Sequence, residues 1–146
     1  MDHINSLSQY TPQTWLITGG CGFIGTRLID LLTRNDQHRI IVFDDLSVGT
    51  RDDLGAVCSF TEIRGGGNTV PDVQVQLFVG DIKDKDACNR AVKGADIIVH
   101  LAANTGVGPS VKDPQSDMTN NVVGTFNMLE AARLYQVKRF IFSSSG

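Results

Sequence analysis

Thr14-Trp15-Leu16-Ile17-Thr18-Gly19-Gly20-Cys21-Gly22-Phe23-Ile24-Gly25 decides the fold of this chain. Thr14 to Ile17 read as a buried strand. Glycines 19, 22 and 25 fall where the backbone must turn sharply, meet a ligand without a Cβ, and enter a helix packed on the sheet. Backbone N–H groups at such a turn, backed by the positive end of the helix, form a site for a diphosphate. The helix follows at once: Ile24, Leu28, Leu31 and Leu32 recur at helical spacing, so the segment from about Phe23 to Arg34 is expected to lay that face on the sheet. Arg39 to Phe43 reads as a second strand ending at Asp44. A carboxylate ~20 residues beyond the glycines can accept hydrogen bonds from ribose hydroxyls. Glycines alone are a weak signal; strand, glycines, helix, strand and acid in that order are a strong one.

The composition sets bounds on the rest. A chain of 146 residues, 41% hydrophobic and 20% charged, has the apolar content for one globular domain. Its formal net charge of −3 offers no electrostatic case for nucleic acid or a membrane surface. No apolar run approaches the ~20 residues of a membrane span. Residues 1–13 are polar, without the apolar core of a signal peptide, and read as a disordered leader before a domain over 14–146. Cys21, Cys58 and Cys88 are odd in number and widely spaced, which predicts a reducing cytoplasm, no disulfide framework and no metal site.

Beyond Asp44 strands and helices continue to alternate. Asp44 to Gly49 reads as a loop, Val57 to Ile63 as a short edge strand, and Gly65-Gly66-Gly67-Asn68 with Pro71 as a turn. Val73 to Val79 is the third main strand. Asp84 is placed to cap a short helix that stops at Gly94. Asp96 to Leu101 forms the fourth strand, Asp113-Pro114 starts the next helix, and Val122, Phe126, Leu129 and Ala132 carry that helix toward Tyr135. Arg139 to Phe142 is the fifth strand. The alternation predicts an α/β, doubly wound parallel sheet of the Rossmann type, ordered 3-2-1-4-5. The outer edge of the fifth strand, with Phe140, Ile141 and Phe142, is a template for pairing. The chain is therefore expected to self-associate or else to fray and aggregate through this strand, the rival being a monomer with that edge capped by residues 1–13.

The spacing Gly19-x-x-Gly22-x-x-Gly25 behind Thr18 resembles that of the extended short-chain dehydrogenase/reductases. Further segments resemble their nucleotide-sugar epimerase/dehydratase branch: Asp44-Asp45-Leu46-Ser47-x-Gly49, Gly80-Asp81-Ile82, His100-Leu101-Ala102-Ala103, Asn121-Val122-x-Gly124-Thr125, Leu129-Glu130-Ala131-Ala132-Arg133 and Phe142-Ser143-Ser144-Ser145. The resemblance spans residues 14–146 but only the first part of such an enzyme. It implies an NAD-dependent enzyme acting on a nucleotide sugar by transient hydride transfer. It implies cofactor contacts at Gly19, Gly22, Phe23, Ile24 and Gly25, at Asp44, Asp45, Leu46, Ser47 and Gly49, at Asp81 and Ile82 on the adenine side, at Leu101, Ala102, Ala103 and Asn104 on the nicotinamide side, and at Asn120. Ser145 matches the serine that polarises the sugar hydroxyl in relatives, although Ser143 to Gly146 also reads as a flexible tail. The Asp44 carboxylate, with no arginine beside it, opposes a 2′-phosphate and favours NAD over NADP.

Several residues keep a plainer reading. His100 reads as a satisfied residue at a strand end rather than an acid or base, and Asp45 as a backbone-positioning group or a solvated acid. Ser110 and Val111 either face substrate or lie in an ordinary loop. One of Asn120 and Asn121, poor helix formers, is expected to bond across to the strands. The tyrosine followed four residues later by lysine, the general base of the resembled enzymes, has no match: Tyr10 precedes Thr14 at that distance, and Tyr135 precedes Arg139. The chain by itself is therefore expected to be inactive. A non-catalytic dinucleotide-sensing module and a reductase of a non-sugar carbonyl remain alternatives.

Overall fold

The computed structural model describes residues 11–65 and 72–144. Its strands and main helices alternate as the sequence predicts: β1 (Thr14–Thr18), α1 (Phe23–Leu32), β2 (Arg39–Asp44), α2 (Arg51–Gly55), β3 (Thr61–Ile63), β4 (Val75–Val79), α3 (Lys85–Val92), β5 (Ile97–His100), α4 (Val107–Lys112), α5 (Pro114–Met118), a π-helical segment (Thr119–Gly124), α6 (Thr125–Leu134) and β6 (Arg139–Phe142). There are two exceptions: α4 replaces the loop expected around Ser110 and Val111, and the helix expected from Asp113-Pro114 is divided by the π-helical segment. The sheet has six strands in the order β3-β4-β2-β1-β5-β6, and every pair is parallel. Five of these follow the expected 3-2-1-4-5 order; β3 adds a sixth at the edge. Only Thr61–Ile63 of the expected Val57 to Ile63 strand is extended, because Val57 and Phe60 turn inward to pack on the core. Helix α2, inside a stretch without helical periodicity, is held by reciprocal bonds between Thr50 and Asp53.

Both faces of the sheet are covered, which is why its central strands are apolar without interruption. Alternate residues divide between two cores. Leu16, Ile41, Phe43 and Ile98 pack with Cys88, Ala91 and Met128 from α3 and α6. Ile17, Ile40, Val42 and Val99 pack with Ile29 of α1 and Leu54 of α2. Asp96 ties one end of the sheet together: it accepts from Thr14 N at 3.0 Å and from Lys138 Nζ at 2.7 Å, and the Lys138 ammonium holds its carboxyl below the usual range. Asp84 caps α3 as expected, accepting from Asp86 N and Ala87 N.

Two helices bury only part of the faces that the apolar spacing predicts. On α1 the buried residues are Gly25 and Ile29, flanked by Leu28 and Leu32, whereas Ile24 and Leu31 are 61% and 50% exposed. On α6 the buried residues include Met128, Ala131 and the expected Ala132, while Phe126 and Leu129, like Val122 in the π-helical segment, face outward. Small residues explain the second case. A Cβ on Gly124 would lie 2.5 Å from Ile82 Cδ1, so glycine and alanine let the helix approach closely, and larger apolar side chains fall on the opposite face. The π-helical segment also breaks the i, i+4 phase on which the expectation rested. Residues 1–10 of the expected leader, residues 66–71 of the Gly/Pro turn, and Ser145 lie outside the described residues.

Candidate functional site

In an open parallel sheet, a crevice forms at the carboxyl ends of the strands where the chain reverses its direction of progress across the sheet. Here β1 connects outward to β2 on one side, and the chain later returns to β5 on its other side. A crevice of about 410 Å³ lies at this position, lined on one side by Gly19, Gly22, Asp44, Asp45, Ser47 and Gly49, and on the other by Leu101, Ala102, Ala103, Asn104 and Asn120, with Ile82 between.

The first wall is made by close backbone approach. Gly19 has φ +65°, and a Cβ there would sit 2.8 Å from Ala102 N. Any side chain would both strain the turn and wedge β1 from β5. Gly25 lies where a Cβ would be 2.5 Å from Gly20 Cα, so α1 rests directly on the turn. Gly22 caps α1 in an extended conformation, and no side chain bonds to the first-turn N–H groups. By contrast Thr50, Asp84 and Asp113 supply side-chain caps to α2, α3 and α5. The first turn of α1 also carries no acidic residue, so its donors and the helix dipole are directed toward an external anion.

Asp44 stands at the end of β2, only 8% exposed. Its Oδ2 accepts from Cys21 N at 2.9 Å and its Oδ1 from Leu46 N at 2.8 Å. Burial pushes its carboxyl above the ordinary range, and these two backbone bonds oppose that shift. A carboxylate has about four acceptor positions; one is spent on holding the glycine loop to β2 and one on the turn at Leu46, and Asp44 lines the crevice. Asp45 Oδ1 accepts from Ser47 N at 2.9 Å and Ser47 Oγ at 2.6 Å, fixing the turn that follows. Cys21, within the loop, is buried, and burial pushes its thiol up to about 12, which disfavours the reactive thiolate.

The second wall is held by side chains. Asn121 Oδ1 accepts from Asn104 N at 2.7 Å, and its Nδ2 donates to Asn104 O at 2.9 Å, so one side chain mimics a neighbouring strand. Asp117 accepts from Asn104 Nδ2 and Asn121 Nδ2, both at 3.2 Å, and from Ser110 Oγ at 2.9 Å. It is therefore Asn121 that bonds across to the segment after β5. Asn120 faces the crevice, donating to Ser116 O at 2.8 Å and accepting from Lys83 Nζ at 3.3 Å. His100 is buried and bonded on both ring nitrogens, and burial lowers its pKa to about 4.

Some expected residues point their side chains away from the crevice. Phe23 and Ile24 are 94% and 61% exposed and their side chains do not line it, while their backbone N–H groups belong to the uncapped first turn of α1. Gly25 lies beneath the turn. Leu46, at φ +60°, packs its side chain on the α1 core. Asp81 is not itself a lining residue; it accepts from Lys83 N at 2.8 Å and pairs with Lys83 Nζ at 3.2 Å at the crevice edge formed by Gly80, Ile82 and Lys83. Conversely Phe43, Val48, Gly80, Lys83 and Thr105 line the crevice without having been expected as contacts. Val48 and Gly80 fall inside segments quoted for the resemblance, and Lys83 and Thr105 directly follow expected residues, which was the available signal; Phe43 reads only as a strand residue. A second hollow of about 470 Å³, lined by Thr33, Cys58, Phe60 and Gln74, lies away from the glycine loop and includes none of these groups.

Residues 15–146 match the model of the NAD dependent epimerase/dehydratase family. The chain belongs to this family. It is 35% identical over 131 residues to a UDP-glucose 4-epimerase of Mycolicibacterium smegmatis, covering 90% of this chain and 38% of the relative. It is 34% identical over 125 residues to a dTDP-glucose 4,6-dehydratase of the same organism, covering 84% and 34%. Among solved structures, the UDP-glucose 4-epimerase of Thermus thermophilus in complex with NAD superposes with a TM-score of 0.71 at 34% identity, covering 90% of this chain and 37% of that one. This member of the epimerase/dehydratase family thus spans little more than a third of the length of the relatives it matches. Among its described residues no helix is long and apolar enough to cross a membrane.

Proposed function

We propose that this chain is the NAD-binding part of a nucleotide-sugar epimerase or dehydratase. The observation that carries the reading is one crevice holding both the uncapped start of α1 behind the glycine turn and the buried Asp44 carboxylate. The first suits a diphosphate and the second suits ribose hydroxyls, in the order a dinucleotide presents them. The same cradle would be closed by a Cβ at Gly19, so the residues present fit the cofactor. NAD, when bound, supplies the hydride acceptor for transient oxidation of a sugar hydroxyl. The chain's own residues bind and orient it: α1 holds the diphosphate, Asp44 the ribose, Ile82 the adenine side, and Ala102 to Asn104 the nicotinamide side. Ser145 would polarise the sugar hydroxyl. The proton-accepting tyrosine–lysine pair must come from elsewhere, so this chain alone is expected to give no turnover of UDP-glucose or dTDP-glucose.

Titration calorimetry with NAD and NADP tests the reading. The unmutated chain should favour NAD, and Asp44→Ala should lose about 1.5–3 kcal/mol of NAD affinity together with most of the discrimination. Equal affinity for both cofactors in the unmutated chain would sink it. A non-catalytic module would bind NAD alike, so turnover by a longer chain carrying the tyrosine–lysine pair separates that alternative. For partners, the edge position of β6 and the exposure of Ile141 and Phe142, at 47% and 55%, support self-association. Sedimentation of the chain with and without Phe142→Lys is expected to show a shift toward monomer in the variant.

A further inference from the structure

Beneath the second wall of the crevice, His100 joins three elements through its side chain. Its Nδ1 lies 2.7 Å from Thr18 Oγ1 on β1, and its Nε2 lies 3.0 Å from Thr125 Oγ1 at the start of α6. The ring packs against Phe140 and Phe142 of β6, with centroids 5.8 and 5.9 Å away. Thr18 Oγ1 also receives Leu101 N and Ala102 N, each at 3.1 Å. Leu101 N shares its hydrogen with the Thr18 carbonyl at 3.2 Å, whereas for Ala102 the hydroxyl is the partner found.

Hydrogen-bond capacity fixes the rest. A hydroxyl has one hydrogen and two acceptor positions. Both acceptor positions of Thr18 are taken by backbone N–H groups, so its hydrogen must go to His100 Nδ1. That nitrogen is then the unprotonated one, and the ring carries its proton on Nε2, donating to Thr125.

We propose that His100 is a positioning residue for the cofactor crevice: as the neutral Nε2–H tautomer it orients the Thr18 hydroxyl, and thereby fixes the Ala102 peptide that forms the wall facing Gly19. The proposal rests on the NAD-binding reading for its consequence, but not for its geometry. The Gly19 turn leaves only 2.8 Å between a would-be Cβ and Ala102 N, so a small displacement of that peptide changes the width of the crevice where the dinucleotide must pass. An apolar residue at 100 would leave the Thr18 hydrogen without an acceptor and free the hydroxyl to rotate. A protonated histidine would present a second donor to it.

Two substitutions separate the halves of the bridge. Asn carries its oxygen at the δ position and can still accept from Thr18, whereas Gln places its amide at the ε position and can still donate to Thr125. Long-range ¹H–¹⁵N spectra of histidine-labelled chain, assigned with His100→Asn, should show His100 as a neutral ring with Nε2 protonated and Nδ1 accepting, unchanged from pH 7 to 5. A protonated Nδ1 at pH 7 overturns the proposal without need of any variant. Amide exchange at Ala102 should stay slow in His100→Asn and quicken by about tenfold in His100→Gln and His100→Leu. NAD affinity should follow the same division, near the unmutated value in the Asn form and about tenfold weaker in the other two. Equal exchange and equal affinity in all three forms would overturn it. If the unmutated chain binds no NAD, the proposed function fails, while the tautomer and the Ala102 exchange still decide the role of His100 in the wall.

Discussion

The two walls of the crevice are built on different physical principles. On the glycine side, shape is set by backbone atoms in contact with backbone atoms: Gly25 on Gly20, Gly19 on Ala102, and Gly49 against the Cys21 carbonyl. On the facing side, shape is set by side chains in hydrogen-bonded networks, with Asn121 and Asp117 around Asn104 and with His100 behind Thr18 and Ala102. A backbone-fitted wall has no adjustable part, so it fails abruptly. A network can lose one member and redistribute, and its failure should be graded and dependent on pH.

The largest effect is expected from filling the tightest backbone contact. In Gly25→Val the new side chain would begin 2.5 Å from Gly20 Cα with no flexible group to yield. Helix α1 would have to lift from the turn, costing about 3 kcal/mol or more, at the upper end of overpacking effects. Urea denaturation should show this loss, and NAD titration should show no detectable binding. A variant within 1 kcal/mol of the unmutated chain, a margin well inside overpacking costs of about 1–3, would show that the glycine wall gives way more readily than its geometry implies.

The networked wall should respond to acid. His100 carries a pKa lowered from 6.5 to about 4 by burial, so the unfolded chain takes up its proton first. Between these values the unfolded state binds more protons than the folded one, and stability falls as pH falls from about 6.5 to about 4 and levels off below. The full difference is on the order of 3 kcal/mol. Carboxylates such as Asp96, held low by Lys138, add their own acid sensitivity below this window. The contribution of His100 is therefore read as the difference in pH slope between the unmutated chain and His100→Gln. Parallel slopes would mean that the imidazole is not the titrating group.

A smaller effect is expected from Asn121→Ala. It leaves Asn104 N and Asn104 O without their partner, each loss costing about 1–2 kcal/mol where water does not replace it. Both groups lie at a crevice that water can enter, so a total near 2 kcal/mol in thermal or urea denaturation is expected. NAD affinity should weaken without being abolished, in contrast to Gly25→Val. Loss of binding as complete as in the glycine variant would erase the distinction between the walls.

The walls also differ in how legible they were in the sequence. Glycines at 19, 22 and 25 and an acid ending the next strand are one-dimensional signs of backbone approach, and strand order followed from alternation. The network was hidden because its key pairs are distant in sequence and meet only through the topology: Thr18 meets His100 across 82 positions, His100 meets Thr125 across 25, and Asn104 meets Asn121 across 17. Apolar spacing misjudged α1 and α6 for a related reason. Where helices approach the sheet on Gly25, Gly124 and Ala131, the buried face is small rather than hydrophobic, and Phe126 or Ile24 marks the outer face instead.

The smallest change in stability, and the sharpest functional one, is expected at Gly22. This residue caps α1 with no side-chain bond, although its φ of −75° and ψ of 175° would suit serine. A serine hydroxyl there could accept from a first-turn N–H group, and replacing a glycine cap in this way is worth a few tenths of a kcal/mol. The added Cβ would lie 3.2 Å from Gly19 O, a mild crowding that offsets part of this gain. Gly22→Ser should therefore leave denaturation within about 0.5 kcal/mol of the unmutated chain. The hydroxyl would nevertheless occupy the donors that the crevice presents to a diphosphate, and NAD affinity should fall by about tenfold or more. Thr50→Ala is the control at a helix start with no ligand to serve: it should cost about 1 kcal/mol of stability and leave NAD affinity unchanged. If Gly22→Ser binds NAD as tightly as the unmutated chain, the open start of α1 is not where the diphosphate is held.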